Sequence, residues 1–385
     1  MTPRLPEATN LHFHGLHVSP EGSADNSFRH LHAGEGAEYA FEIPANHRGG
    51  TYWYHPHVHG SAARQVARGL AGVFVIRGEL DQIPEIASAT ESVLVLQDFA
   101  LDASGRPVEP NPMQQMQGRE GNLVTVNGVL NPAIRVQRRG WIRLRILNAS
   151  PARFYRLRLE QHVLVQVASD GGALPAPVPR EEILLTPGER VEVMVRGDRE
   201  PGRYRLVSLP YDRGAGGNMM GGAVPTPLTL ATLQYEGETD REWELPDRFA
   251  DIEPLVEPAV RRNVVLGQAM GPGAGMMGGG MAFTLNGRVF DPGRVDAQPR
   301  LGAVEEWEFL NMTTMDHPMH IHTNSFQVVE RDGRVNPVWK DVVLVPARSA
   351  VKVRMRFDDF VGRGLYHCHI LDHEDLGMMG VVEVG

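Results

Sequence analysis

The sequence has little cysteine, little lysine and no long hydrophobic run, and each shortage narrows what the protein can be. A single cysteine, Cys368, cannot form an internal disulfide, so cysteine content does not indicate a redox compartment. Only two of the 38 basic residues are lysines, a bias without functional meaning. No apolar run approaches the roughly 18 consecutive residues that a membrane span needs, so membrane insertion is excluded. Residues 1–30 carry no secretory signal, so a signal was either removed or never present.

Acidic residues outnumber basic ones, and the 385-residue chain has a net charge of −9. Because nucleic-acid binding requires clustered basic residues, we expect no nucleic-acid partner and favour a cationic or neutral small substrate. A hydrophobic share of 42% with 22% charged residues is globular composition. The length exceeds what one hydrophobic core usually organises, so we expect two or three domains.

Helical periodicity is nearly absent, and alternating apolar and polar residues predict an all-β fold. Arg or Glu alternates with apolar residues in the predicted strands, which is typical of sheets with one buried and one solvated face. Forty-two glycines and 28 prolines separate the strands, as in β-sandwiches and barrels. The clearest predicted strands are 92–101, 141–148, 154–160, 190–196, 304–311 and 350–357.

Three segments repeat one pattern, in which a turn, an alternating strand and a loop lead through Gly-x-Tyr into another strand. These segments are 32–57, 186–208 and 346–369. Asn148 and Asn311 end matching strands, and an Asn-Gly turn precedes each of them. The repeats predict three homologous β domains, at 1–84, 85–245 and 246–385.

The first copy of the repeat is incomplete. Asn10 is the counterpart of Asn148 and Asn311, but only nine residues precede it. We therefore expect the first domain to lack its leading strands. Because an unpaired sheet edge favours aggregation, we expect either that further residues belong before Met1 or that another element covers this edge.

Ten of the 16 histidines fall into four short clusters. On a strand, residues i and i+2 project from the same face, so each His-x-His places two imidazoles side by side. One copy alone also fits the polar face of an exposed strand, but four copies, two in the first repeat and two in the last, predict metal ligands. The clusters are His12 and His14; His55 and His57; His317, His320 and His322; and His367, His369 and His373.

The middle repeat lacks these histidines. Where the last repeat has His367 and His369 just after Gly-x-Tyr, the middle repeat has Arg205 and Val207. Since the fold does not need the histidines, we expect the first and last domains to meet face to face and to pool eight imidazoles in one cluster. Imidazole suits zinc, copper, iron or nickel.

Cys368 narrows the choice of metal. His373 and Met378 follow it at spacings of five and ten residues, and His317 is available from an earlier strand. A thiolate, two imidazoles and a thioether form the ligand set of a blue-copper electron-transfer site, and structural zinc rarely recruits Met. The alternative, an inert buried Cys with Met378 as a core residue, does not account for this spacing.

The chain resembles the multicopper oxidase family, and most closely its three-domain bacterial laccases and metallo-oxidases. The resemblance covers essentially the whole chain and implies three cupredoxin-like Greek-key β-sandwich or barrel domains. It also implies that one-electron oxidation of a donor is coupled to four-electron reduction of dioxygen to water. Four motifs carry it: NLHFHGL (10–16), TYWYHPHVHG (51–60), HPMHIHTNSF (317–326) and YHCHILDHEDLGMM (366–379).

The resemblance also implies four copper ions and their ligands. The type 1 copper takes His317, Cys368, His373 and Met378, and the type 2 copper takes His12 and His320. The two type 3 coppers share His14, His55, His57, His322, His367 and His369. Because Cys368 lies between two type 3 ligands, electrons would pass to them along two short covalent paths.

Water formation consumes protons, and the resemblance points to two acids as their source. Glu374 directly follows the last histidine, and Asp25 lies in the loop after the first motif. For Asp25 the alternative is an ordinary solvated loop carboxylate.

Two classes of electron donor fit this resemblance, and both activities can coexist. A laccase oxidises phenols and aromatic amines, whereas a metallo-oxidase holds Cu(I), which thioether sulfur selects. Two Gly-rich segments, 214–223 and 268–283, carry methionines and are expected to be surface loops, and Met315 lies just before His317. The candidate Cu(I) ligands are Met270, Met276, Met277, Met281 and Met315, with Met219 and Met220. The alternative is that these methionines are adaptable surface coverings.

A non-catalytic alternative is a copper-sequestering or structural protein built on cupredoxin-like domains. The complete set of type 2 and type 3 ligands disfavours it, because storage needs neither a paired oxygen site nor a cysteine link. By analogy with the family, we expect a periplasmic or secreted protein.

Overall fold

The computed structural model describes residues 1–214, 226–240, 242–270 and 281–385. Strands account for 44% of the described residues and helices for 7%, so the all-β prediction is confirmed. No helix in the described part of the chain is long and apolar enough to span a membrane.

The first region contains one antiparallel sheet with the strand order β1-β2-β3 and three short helices, the first of which lies between β2 and β3. Its strands are β1 (His12–His14), β2 (Gly50–His55) and β3 (Gly72–Ile76). Its helices are α1 (Ala62–Ala67), α2 (Glu79–Gln82) and α3 (Pro84–Ser88). A small apolar cluster around Phe13, Leu16 and Tyr52 forms its core.

The middle region packs a six-stranded sheet, β10-β9-β12-β7-β4-β5, against a five-stranded sheet, β11-β8-β13-β14-β6. A large aliphatic core lies between the two sheets. The elements are β4 (Thr90–Phe99), α4 (Pro112–Gln117), β5 (Leu123–Val126), β6 (Ala133–Arg138), β7 (Trp141–Asn148), β8 (Tyr155–Leu159), β9 (Leu164–Ser169), β10 (Gly172–Arg180), β11 (Ile183–Leu185), β12 (Arg190–Arg196), β13 (Arg203–Leu209) and β14 (Leu228–Glu238).

The last region repeats this two-sheet arrangement with the orders β16-β15-β17-β22-β19-β20 and β21-β18-β23-β24. Its core includes Cys368 and Met378. The elements are β15 (Val260–Met270), β16 (Met281–Leu285), β17 (Val304–Asn311), β18 (His317–Ile321), β19 (Phe326–Val329), β20 (Val335–Lys340), β21 (Val342–Val345), β22 (Ala350–Arg356), β23 (Gly362–Cys368), α5 (Leu371–Asp375) and β24 (Met379–Val384). The predicted domain boundaries, 1–84, 85–245 and 246–385, stay a prediction.

The two Asn-Gly turns adopt the same conformation and make the same contacts. Asn127 and Asn286 have φ angles of 53° and 52°, as a two-residue turn of the I′ type requires. Each side-chain oxygen accepts a hydrogen bond from the backbone of the adjacent long strand, from Val95 N in one case and Val265 N in the other, at 2.8 Å. The repeated sequence therefore forms repeated structure.

One predicted strand is absent. The alternating residues 37–43 belong to the first repeat but form no strand, although Tyr39 and Phe41 pack on the apolar cluster of the first region. Their counterparts, β12 and β22, each pair with the strand that ends at Asn148 or Asn311. In the described residues no such strand lies beside residues 37–43, so alternation alone does not form a ladder.

The predicted solvated face of β7 is in fact buried. Arg143 and Arg145 bond to Glu192 on β12, and Arg143 also bonds to Asp81 on α2 at 2.8 Å. Arg145 contacts Glu91 at 2.8 Å. The prediction was wrong because the first region covers this face, and the charges remain satisfied by pairing with one another.

Candidate metal centres

Eight histidines from opposite ends of the chain converge in one buried cluster. His12 Nε2 lies 3.4 Å from His320 Nε2, and His57 Nε2 lies 3.0 Å from His367 Nε2. Each is no more than 2% exposed: His12, His14, His55, His57, His320, His322, His367 and His369. The structure thus brings together the eight imidazoles that the sequence predicts to meet.

Several ring nitrogens in the cluster face one another at close range. His57, His322 and His367 form a triangle whose Nε2 atoms lie 3.0–3.2 Å apart. His55 Nε2 is buried without any hydrogen-bond partner. Burial, aided by neighbouring histidines, lowers the pKa of His55 to about 3, so its ring is neutral near pH 7.

This arrangement fits metal ions. Unpaired buried nitrogens are costly, and a bound cation satisfies them. Imidazole nitrogens bind such ions at about 2 Å, so nitrogens that share one ion lie roughly 3–3.5 Å apart, as the triangle does. The donor set is imidazole only, which suits copper or zinc rather than calcium or magnesium.

Outer hydrogen bonds determine which nitrogen of each ring faces the cluster. His12 Nδ1 lies 2.9 Å from Asp25, and His320 Nδ1 donates to the Asp341 carbonyl at 2.8 Å, so both rings present Nε2. His14 is reversed, with Nε2 3.0 Å from Asp341 and Nδ1 3.2 Å from His369. Such partners fix tautomer and orientation before a metal binds.

Cys368 forms a second candidate centre with two further histidines. Its Sγ lies 3.4 Å from His317 Nδ1 and 3.8 Å from His373 Nδ1, and the two Nδ1 atoms are 3.3 Å apart. Burial raises the pKa of the Cys368 thiol, so the metal-free protein keeps it protonated and metal binding would release a proton. Met378 is fully buried against this group, and its carbonyl accepts from Cys368 N at 3.0 Å.

Residues outside the Cys368 centre orient its two imidazoles by hydrogen bonds and by stacking. Thr313 Oγ1 hydrogen-bonds His317 Nε2 at 2.8 Å, and His373 Nε2 donates to the Met116 carbonyl at 3.1 Å. Phe283 stacks on His373 with ring centroids 3.9 Å apart. With these contacts, Nδ1 of His317 and Nδ1 of His373 face the Cys368 sulfur.

The two candidate acids lie beside the histidine cluster. Asp25 is 2% exposed, so it is not a solvated loop carboxylate, and burial raises its pKa to about 7. Glu374 lies 3.2 Å from His367 Nδ1 and is fully buried. Burial alone would raise its pKa, but the facing His57 and His367 imidazoles outweigh burial and lower the pKa to about 2.

The candidate methionines have different surroundings. Met315 is 6% exposed, which favours packing over the accessible Cu(I) ligand that the sequence predicts. Met281 is 37% exposed and pairs with Met270 across β15 and β16. Met276 and Met277, like Met219 and Met220, lie outside the described residues.

Sequence reasoning missed Asp341, which contacts His14 and His320, and Thr313, which contacts His317. Asp341 is the single residue between β20 and β21, and Thr313 lies in the short loop between β17 and β18. Neither position carries a sequence signal, because each partner is set by tertiary packing.

An all-β chain with a His₂Cys centre beside an eight-histidine cluster has the features of a multicopper oxidoreductase. Comparison with known proteins agrees: family models described as multicopper oxidase match residues 1–81, 91–238 and 266–385. The chain belongs to the multicopper oxidase family, as the sequence motifs predict. The family implies copper as the metal and oxidoreductase chemistry.

Individual relatives differ in their described roles. A solved structure from Campylobacter jejuni, described as a multicopper oxidase and a metallo-oxidase, has 36% identity and a TM-score of 0.86, covering 99% of this chain and 81% of that one. Multicopper oxidase mco of Staphylococcus epidermidis is 28% identical over 99% of this chain and 77% of its own length. Cell division protein FtsP of Edwardsiella tarda is 32% identical over 91% of this chain and 73% of its own.

Proposed function

We propose that the protein is a four-copper oxidase that couples one-electron oxidation of a donor to four-electron reduction of dioxygen to water. The observation that carries this proposal is the position of Cys368. Its side chain belongs to one centre, while the adjacent residues His367 and His369 belong to the other. Such adjacency joins an electron-accepting site to a multi-ion site through a few covalent bonds.

The geometry supports the following ligand assignment. His317, Cys368, His373 and Met378 would hold the type 1 copper, and His12 and His320 would hold the type 2 copper. The triangle of His57, His322 and His367 would hold one type 3 ion, and His14, His55 and His369 would hold the other. When bound, copper supplies the one-electron chemistry of the donor and the multi-electron chemistry that dioxygen requires.

The two acids divide the handling of protons. Asp25, with a pKa of about 7, can hold a proton beside His12 at neutral pH. Glu374, with a pKa of about 2, is ionised there and would accept and pass on protons rather than store one. A proton store beside His12 and a proton relay beside His367 fit a reaction that consumes protons.

Replacing Glu374 by glutamine should slow oxygen reduction roughly 10- to 100-fold, since outer partners of metal ligands typically contribute that much. The blue absorption should be unchanged, because Glu374 contacts His367 and not the Cys368 sulfur. Oxygen uptake and a visible spectrum measure the two effects. Wild-type turnover in this variant would show that Glu374 does not transfer protons to the histidine cluster.

The methionine-rich segments favour Cu(I) as a donor, alongside phenols and aromatic amines. Gly214, the first residue of the segment 214–223, packs too closely on Thr314 to admit a side chain. Met281, near the end of the segment 268–283, is two residues from the Phe283 ring that stacks on His373. These described residues lie near the proposed type 1 site, and the similar Campylobacter jejuni protein is described as a metallo-oxidase.

Replacing Met276 and Met277 together by leucine should lower Cu(I) oxidation several-fold and leave phenol oxidation unchanged. Thioether sulfur selects Cu(I), whereas a phenol needs only access to the site. Oxygen uptake at matched donor concentrations gives the ratio of Cu(I) oxidation to phenol oxidation, and phenol turnover is the internal control. An equal decrease for both donors would argue that the methionines only cover the site.

The similarity to FtsP favours a second candidate, a non-catalytic cupredoxin-domain protein. Oxygen uptake by the copper-loaded chain with a reductant separates the two, because a sequestering or structural protein consumes none. We also propose a periplasmic or secreted location, by analogy with the family.

A further inference from the structure

Arg190 joins all three regions of the molecule at one buried point. It is the first residue of β12 in the middle region, and its side chain is fully buried. Its Nη1 and Nη2 atoms donate to the two Asp341 carboxylate oxygens, each at 2.6 Å, and its Nε donates to the Thr51 carbonyl of β2 at 2.8 Å. Nη2 also donates to the Asp170 carbonyl at 2.8 Å.

Asp341, the partner of Arg190, contacts histidines from both ends of the chain. Its carboxylate accepts from His14 Nε2 at 3.0 Å, and its carbonyl accepts from His320 Nδ1 at 2.8 Å. His14 is consequently turned so that Nδ1 faces the cluster, the reverse of His12 and His320. A bidentate guanidinium contact holds a carboxylate in one plane and one position.

Two glycines make room for this arrangement. Gly15 has a φ of +85°, and a Cβ there would overlap both Arg190 Nη2 and Asp341 Oδ2. Gly188, two residues before Arg190, has a φ of +84°, and a Cβ there would lie 2.8–2.9 Å from the ring of His369. The Arg190–Asp341 ion pair and the loop at Gly188 therefore contact the histidine cluster directly.

We propose that Arg190 and Asp341 are positioning residues, through which the middle region orients the histidine cluster although it supplies none of the histidines. The inference rests on the proposed function for the identity of the bound ions, but the orientation of His14 does not depend on any ion. Neither residue contacts the Cys368 centre in the described residues, so the effect is specific to one centre.

The test uses the full chain with Arg190→Lys, which keeps the charge and loses the bidentate fork. A double variant, Arg190→Met with Asp341→Leu, removes both charges together, and such apolar replacement of a buried pair commonly preserves folding. The matched control is Arg354→Met with Glu306→Leu, a buried pair at 2.8 Å that contacts no histidine of the cluster.

In copper-loaded protein, we expect both Arg190 variants to bind copper in the cluster roughly 10- to 100-fold more weakly. The paramagnetic resonance signal of the type 2 copper should change, while the blue absorption stays at wild-type intensity. The control pair should leave both signals unchanged. Wild-type affinity and an unchanged resonance signal in both Arg190 variants would overturn the proposal.

A metal-free measurement separates this inference from the proposed function. In apoprotein labelled with ¹⁵N-histidine, the His14 ring should carry its proton on Nε2 in the wild type and in the control pair. The double variant, which lacks the acceptor, should show a shifted tautomer equilibrium for His14. An unshifted equilibrium refutes the positioning role, whereas failure of the wild type to bind copper would refute only the proposed function.

Discussion

Replacing Cys368 by serine should abolish the blue absorption of the copper-loaded protein and lower turnover with every donor by more than about 100-fold. A hydroxyl cannot replace the soft thiolate that defines such a centre. Packing should survive, because serine is nearly the same size and can still accept from Ile370 N, which lies 3.4 Å from the sulfur. Visible spectra, oxygen uptake and copper content per chain measure the result, and we expect the histidine cluster to retain its copper.

Met378→Leu is the matched control for this variant. Met378 is fully buried, and a volume-conserving exchange to leucine usually costs less than about 1.5 kcal/mol. We expect the blue colour and the turnover to persist, with a raised reduction potential, because on the proposed assignment only a weakly binding thioether would be lost. A Cys368→Ser protein that stayed blue and active would show that Cys368 is not the electron-accepting ligand.

Removing copper should make the protein unstable to acid below about pH 6.5, the ordinary histidine pKa. Burial lowers the pKa of His57 to about 4 and that of His317 to about 3, and it holds the pKa of His12 and of His320 well below the ordinary value. The unfolded chain protonates at about pH 6.5 while the folded apoprotein does not. Stability is therefore complete above that pH and is lost as pH falls towards the folded-state values.

The expected effect is large. Each histidine that stays neutral in the fold lowers the free energy of unfolding by about 1.4 kcal/mol per pH unit below 6.5. A few of them offset the total stability of about 5–15 kcal/mol that is usual for a domain. Urea unfolding of apoprotein between pH 7.5 and 5 measures the decline.

Copper-loaded protein should remain folded to lower pH, because the metal competes with protons for the same nitrogens. An apoprotein carrying His32→Gln, at an exposed histidine outside the cluster, should follow the unmodified apoprotein. Equal apoprotein stability at pH 7.5 and 5.5 would contradict burial of neutral imidazoles.

Strand positions were predictable where alternation and turn residues agree. β7, β12 and β17 match their predicted ranges, and both Asn-Gly turns adopt the conformation that this dipeptide favours. The prediction failed at residues 37–43, because a strand also needs a neighbour to pair with. It failed again for the face of β7 that carries Arg143 and Arg145, because another region covers it.

Local spacing alone indicated the candidate metal-binding side chains. A strand turns every second residue to one side, so the His-x-His pairs and the Cys368 motif are visible in the sequence. Only the tertiary structure decided that His12 faces His320 and that Asp25 is buried. Only the tertiary structure placed the Arg190–Asp341 pair against the ring of His14. These contacts join residues from 13 to more than 300 positions apart. No periodicity encodes such pairs, because packing between regions, rather than the geometry of one strand, brings them together.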